Sequence, residues 1–166
     1  MTTQHIDFTS EERGLALQLY AQLKDRIAAS LQPGDEEHIR RHVMTAIEQG
    51  QVQRDAFGLS PVLTSLQAAL IAVEEIGLRR EAVLAIMLHP CVEGGQLTID
   101  EAGSEFGLPV GRILHGLHRI EVSGAANTEL TGTQGENFRN LLISLAEDMR
   151  VILIMIASRV NLMRQI

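Results

Sequence analysis

"RREAVLAIMLHPCVEGG", residues 79–95, decides how this chain folds. From Ala82 to Leu88 every residue is apolar, so a helix here keeps no face for water. The run reads as a buried helix over 79–89, with "CVEGGQL" as the connection after it. Pro90 has no backbone N–H, and it bends or ends the helix at His89. A helix buried all round needs neighbours on several sides, so the rest of the chain must supply amphipathic elements.

It does, on both flanks. "TSEERGLALQLYAQLKDRIAASL" (9–31) opens with Thr9 or Ser10 as N-cap and acids in its first turn. Leu15, Leu19, Leu23 and Ile27 recur four apart and form one apolar stripe. "QPGD" (32–35) is a turn, and "EEHIRRHVMTAIEQG" (36–50) is a second helix ending near Gly50. After a loop over 51–60, "PVLTSLQAALIAVEEIG" (61–77) is a third helix stopped by Gly77.

Beyond the central run, "TIDEAGSEFG" (98–107) carries a capping box, Thr98 with Glu101, and Gly107 terminates it. "LPVGRILHGLHRI" (108–120) is another short helix. "EVSGAANTELTGTQG" (121–135) is rich in Gly, Ser, Thr and Asn and reads as a mobile loop. The remainder, 136–166, reads as one long helix with Leu141, Leu145, Met149, Ile152, Ile156, Val160 and Met163 on its buried face. No segment alternates with a strand period, so the fold class is all-α. The last helix runs to the final residue without a terminating Gly or Pro, which reads as a piece of a longer chain.

Composition narrows the function classes. A chain of 166 residues fits one domain, and 45% apolar with 21% charged residues is ordinary for a globular protein. Aromatics are only 3% and Trp is absent, so aliphatic residues build the core and favour helix-on-helix packing. A net charge of −7 gives no bulk attraction for nucleic acid or an anionic membrane. Cys91 is the lone cysteine, which excludes an intrachain disulfide and points to a reducing cytoplasm. The polar N-terminus is no signal peptide, and "VILIMIA" (151–157) is far short of the roughly 20 residues that span a bilayer.

The histidines are the candidate chemistry, each with a plainer reading beside it. His89 ends an apolar run and reads first as a satisfied core histidine. "HGLH" puts His115 and His118 at i, i+3, half a metal site with no acid or Cys clustered near. "HIRRH" puts His38 and His42 at i, i+4 without the glutamate of a metalloprotease helix, and reads as a solvated basic face. Glu93, in a Gly-flanked loop, reads as a solvated acid, and Cys91 as a small buried hydrophobe. There is no Gly-rich phosphate loop, Ser/His/Asp arrangement or zinc pattern.

Taken together, two stretches resemble a known family. "QGENFRNLLISLAEDMRVILIMIASRVNLMR" (134–164) is similar to the last motif of the hydrolase domain of RelA/SpoT proteins, which make and degrade (p)ppGpp. The segment 77–120 resembles the same domain around its His-Asp doublet, Glu-Asp pair, capped short helix and Phe-Gly turn. "GQVQR" and "PVLTS" (50–65) are similar to weaker earlier motifs. The resemblance covers roughly 38–166 and implies an HD-domain-like phosphohydrolase helical bundle. It also implies Mn²⁺ held by two His and two Asp, an ion suited to imidazole and carboxylate, which polarises the 3′-pyrophosphate and generates hydroxide.

This sequence departs from the family at those places. Ser65 stands where the first metal His is expected. His89 is kept, Pro90 replaces its Asp partner, Glu93-Gly94 replaces the Glu-Asp pair, and Ser158 replaces the last Asp. Arg54 and Asn161 fall where the family contacts nucleotide, and Arg suits phosphate. The expectation is therefore a single N-terminal HD-type domain, 1–166, with a vestigial His89 and Glu93, no metal of its own and no confident catalytic residue. Its partner would be a following synthetase domain, with residual (p)ppGpp or GDP/GTP binding as an alternative sensor role. A second alternative is a rearranged metal site recruiting His89, Glu93 and His115 or His118.

Overall fold

The computed structural model describes residues 10–48, 60–126, 139 and 148–165. Among these it contains seven α-helices and no strand, in agreement with the all-α expectation. They are α1 (Ser10–Ile27), α2 (Asp35–Glu48), α3 (Pro61–Ile71), α4 (Arg80–Glu93), α5 (Ile99–Phe106), α6 (Leu108–Ala126) and α7 (Met149–Gln165). Helix α4 is the axis of the bundle. Ala82 through Leu88 are all buried, and α2, α3 and α6 pack round them.

One ion pair fixes where three of these helices begin or end. Arg80, in the first turn of α4, donates from Nε to Asp35 Oδ2 at 2.6 Å and from Nη2 to Asp35 Oδ1 at 3.1 Å. Its Nη2 also donates to the Phe106 carbonyl at 3.1 Å, an acceptor at the end of α5. Asp35 Oδ2 takes a further bond from the Gln32 N–H at 2.8 Å, closing the turn before α2. Both side chains are buried, at 8% and 7% exposure. Burial alone would raise the Asp35 carboxyl, but the Arg80 hydrogen bonds, the Gln32 N–H and nearby positive charge outweigh it and hold it below its ordinary value. From Arg80 the charges alternate outward: Glu81 lies 3.4 Å from Arg80 and 3.9 Å from Arg150, and Arg150 chelates Asp148.

Helix α3 runs on through a wider π-helical turn, Ala72–Ile76, before Gly77 stops it in the left-handed region at φ 89. The wide turn sends two consecutive acids in different directions. Glu74 meets Arg26 of α1 at 3.0 Å, and Glu75 meets Arg164 of α7 at 2.9 Å. Helices α5 and α6 form a tight hairpin whose capping box is present as expected. A Cβ on Gly111 would sit 3.1 Å from the Gly103 Cα, so the two glycines let these helices touch backbone to backbone.

Three boundary expectations fail, and the apolar faces of the first and last helices shift, for identifiable reasons. Pro90 does not end α4, which continues to Glu93. Near a helix end the missing N–H costs one bond, and the last turn is secured when Gly94, Gly95 and Gln96 donate to Pro90, Val92 and Cys91 carbonyls. Helix α6 extends to Ala126, taking in "EVSGAA" from the expected loop; 127–135 lie outside the described residues. The final helix is not continuous over 136–166. Asp148 is non-helical, and its side chain and carbonyl accept the Arg150 and Val151 N–H groups, starting α7 at Met149. Its buried face is Val151, Ile154, Ala157 and Asn161; of the expected face Val160 packs against the core, Met149, Ile156 and Met163 are exposed, and Leu141 and Leu145 lie outside the described residues. In α1 Leu23 and Ile27 are buried and Leu19 packs half-buried against the core, while Leu15 is 39% exposed. No helix among the described residues is long and apolar enough to cross a membrane.

Two outcomes follow. Replacing Asp35 by Ala strands a buried guanidinium, and urea denaturation should show a loss of about 3–5 kcal/mol. Because the folded carboxyl is depressed, its contribution is present above the unfolded range near ~3.9 and disappears as pH falls through the folded value. The wild-type advantage over the variant should therefore shrink in acid, and an unchanged gap there would contradict the pairing. A Cβ on Gly116 would meet Val151 Cγ2 at 2.6 Å, so Gly116→Ala should cost about 1–3 kcal/mol of overpacking, measurable as a drop in Tm.

Candidate functional site

The positions where the resemblance expects metal ligands, Ser65, His89, Pro90 and Ser158, fall on three helices that pack on one another, α3, α4 and α7. Ser65 of α3 and Pro90 of α4 line a common crevice with Val43, Val62, Met87 and Cys91. Its volume is about 10 Å³, the space of one water at most. Five of its six walls are apolar side chains. His89 is half-buried beside it, and its Nε2 lies 3.8 Å from Glu93 Oε2 across the last turn of α4. Glu93 is exposed, and Ser158 is exposed on α7.

These residues do not fit the manganese shell that the resemblance implies. A proline has no donor, and two neutral hydroxyls do not replace an imidazole and a carboxylate as ligands. Among the described residues no three His, Cys, Asp or Glu side chains are grouped to hold a metal ion. His115 and His118 are exposed on α6.

Asn161 is buried in the α3–α7 contact. Its Nδ2 donates to Gln67 Oε1 at 3.1 Å, and its Oδ1 accepts from Gln165 at 3.5 Å. Its carboxamide thus clips α7 to α3, two residues along α3 from Ser65. Arg54 lies outside the described residues.

The solvated basic face expected for "HIRRH" is instead a clasp. His42 Nε2 lies 2.7 Å from Glu105 Oε1, His38 Nδ1 lies 3.5 Å from Glu105 Oε2, and Arg41 reaches the same oxygen at 3.4 Å. Both imidazoles pack against the Phe106 ring, with centroids 6.1 and 6.0 Å away. Nothing local in the sequence announces this, because Glu105 is more than sixty residues from its partners. An open depression beside it is rimmed by Asp100, Glu101 and Glu105. Carboxylates of that sign repel a polyphosphate.

Comparison with known proteins agrees with the all-α class. A family model described as "HD domain" matches residues 42–166. A guanosine-3′,5′-bis(diphosphate) 3′-pyrophosphohydrolase of Aquifex aeolicus is 30% identical over 129 residues, covering 78% of this chain and 18% of that protein. A GTP pyrophosphokinase of Myxococcus xanthus is 30% identical over 119 residues, covering 71% and 15%. The bifunctional (p)ppGpp synthase/hydrolase SpoT of Escherichia coli is 26% identical over 146 residues, covering 88% and 20%. The chain spans a fifth or less of the length of these relatives.

Cys91 reports on the packing of the crevice. It is buried, and burial pushes its thiol up to about 11. The thiolate is the reactive form, so a disulfide reagent at neutral pH should label Cys91 in denaturant and leave it untouched in the native chain. Fast native labelling would show that the crevice opens.

Proposed function

We propose, for a chain that belongs to the HD-domain family and stands with its RelA/SpoT members, a degenerate (p)ppGpp-hydrolase domain that acts in (p)ppGpp metabolism by regulation. The observation that carries this reading is the set of residues at the metal positions: Ser65, Pro90 and Ser158 around a retained His89. A single imidazole does not hold Mn²⁺ against water, and without the metal no hydroxide is generated at neutral pH. The apolar crevice between Ser65 and Pro90 supports the same reading, since the space is used for packing.

The regulatory half rests on the relatives' extent. They are five times longer or more than the matched region, and two of the names above include synthesis of the nucleotide. A domain of this kind acts on a synthetase domain by contacting its active and inactive states differently. The cytoplasm, with the nucleotide pool and a lone reduced cysteine, is the compartment we assign.

The test is metal content and ppGpp hydrolysis on one sample of the purified chain after incubation with Mn²⁺. The expected result is no stoichiometric metal and no release of GDP. Stoichiometric metal with GDP release would contradict the reading and make the domain a working hydrolase. A variant carrying Ser65→His, Pro90→Asp and Ser158→Asp is expected to gain Mn²⁺, which would place the loss at those three positions.

A further inference from the structure

Helix α7 has two apolar faces. Val151, Ile154 and Ala157 enter the core. On the other side Met149, Ile156 and Met163 are 59%, 49% and 73% exposed, flanked by the half-buried Ile152 and by Val160, which packs against the core. At 100° per residue, Met149 and Met163 lie within about 20° of Ile156, and Ile152 and Val160 within about 40°. The stripe is straight and about 21 Å long. Single exposed apolar residues are ordinary on a surface. Three at intervals of seven along one helix form a seam, and a seven-residue spacing is what a partner helix reads.

The borders of the seam define its partner's charge. Arg159 stands about 60° to one side of Ile156 and Arg164 about 80° to the other. Both are exposed, and Arg164 is held there by an ion pair to Glu75 in which each side chain is about half exposed. Such an exposed pair is worth little and is readily exchanged. Helix α7 carries three arginines and no acid, so a second copy of α7 does not supply the complementary charges.

We propose that this face docks an amphipathic helix of a partner protein, its apolar stripe laid along Met149, Ile156 and Met163 and its flanking acids on Arg159 and Arg164. This goes beyond the degenerate-hydrolase reading and does not depend on it, because no metal position takes part. The recognition mode is a helix laid on an apolar seam with charged margins that set orientation and choice.

The probes are two synthetic helical peptides with the same leucine stripe, one flanked by glutamates and the other by lysines. Each is titrated against the full chain by fluorescence anisotropy. The glutamate peptide should bind at least about tenfold more tightly than the lysine peptide. Ile156→Glu should remove the binding, and Arg159→Glu should reverse the preference. Both positions are exposed, so circular dichroism should show both variants folded. Absence of binding, equal binding of the two peptides, or binding that survives Ile156→Glu would overturn the proposal. So would self-association of the chain through this face, or binding of vesicles of anionic lipid in place of the peptide.

Discussion

The contact between Asp35 and Arg80 sets the geometry of the whole bundle. Arginine at the start of a buried helix is expensive to desolvate, and it is tolerated here because every nearby acceptor is aimed at it. Two of its bonds go to one carboxylate, and a third goes to a carbonyl at the far end of another helix. The pair is therefore less a source of net stability than a device of register, because a shift of α2, α4 or α5 leaves a charge unmet. Glu81, Arg150 and Asp148 carry the alternation on to the start of α7.

With α4 fixed in this way, its C-terminal half is brought against α3 and α2, with α7 packed on the other flank of α3. That is the arrangement a metal centre requires, with donors converging from three helices. On the proposed reading, the scaffold is kept while the donors have changed. Proline and serine stand at two of the positions, methionine and valine line the same crevice, and an asparagine amide ties α7 to α3. The core is a continuous, mostly aliphatic cluster with members on all seven helices, and Ser65, His89, Pro90 and Ser158 are not among them.

Much of this was legible in the residues. The all-round apolar run of α4, the capping box at Thr98 and the Gly77 and Gly107 stops are local signals, and the structure follows them. The departures at Ser65, Pro90 and Ser158 rest on the resemblance alone, in which the long C-terminal motif and His89 set the register. What escaped was whatever depends on partners distant in sequence. Glu105 turns a pair of helical histidines into a clasp, and Asp35 buries Arg80, with no local pattern in either case. The face of α7 was misjudged for a related reason. Its sequence is apolar almost all round, and only the neighbours decide that Val151 and Ile154 go inward while Met149 and Ile156 stay out.

The most direct measurement is paramagnetic broadening by Mn²⁺, in the presence of ppGpp, across the amide spectrum of the isotope-labelled chain. A bound ion broadens every amide near it, whether or not any chemistry follows. If the centre is degenerate, no selective broadening appears around Ser65, His89 and Ser158 as Mn²⁺ is added. Saturable broadening confined to those parts of α3, α4 and α7 would show a working ion site and contradict the claim that the centre has been lost.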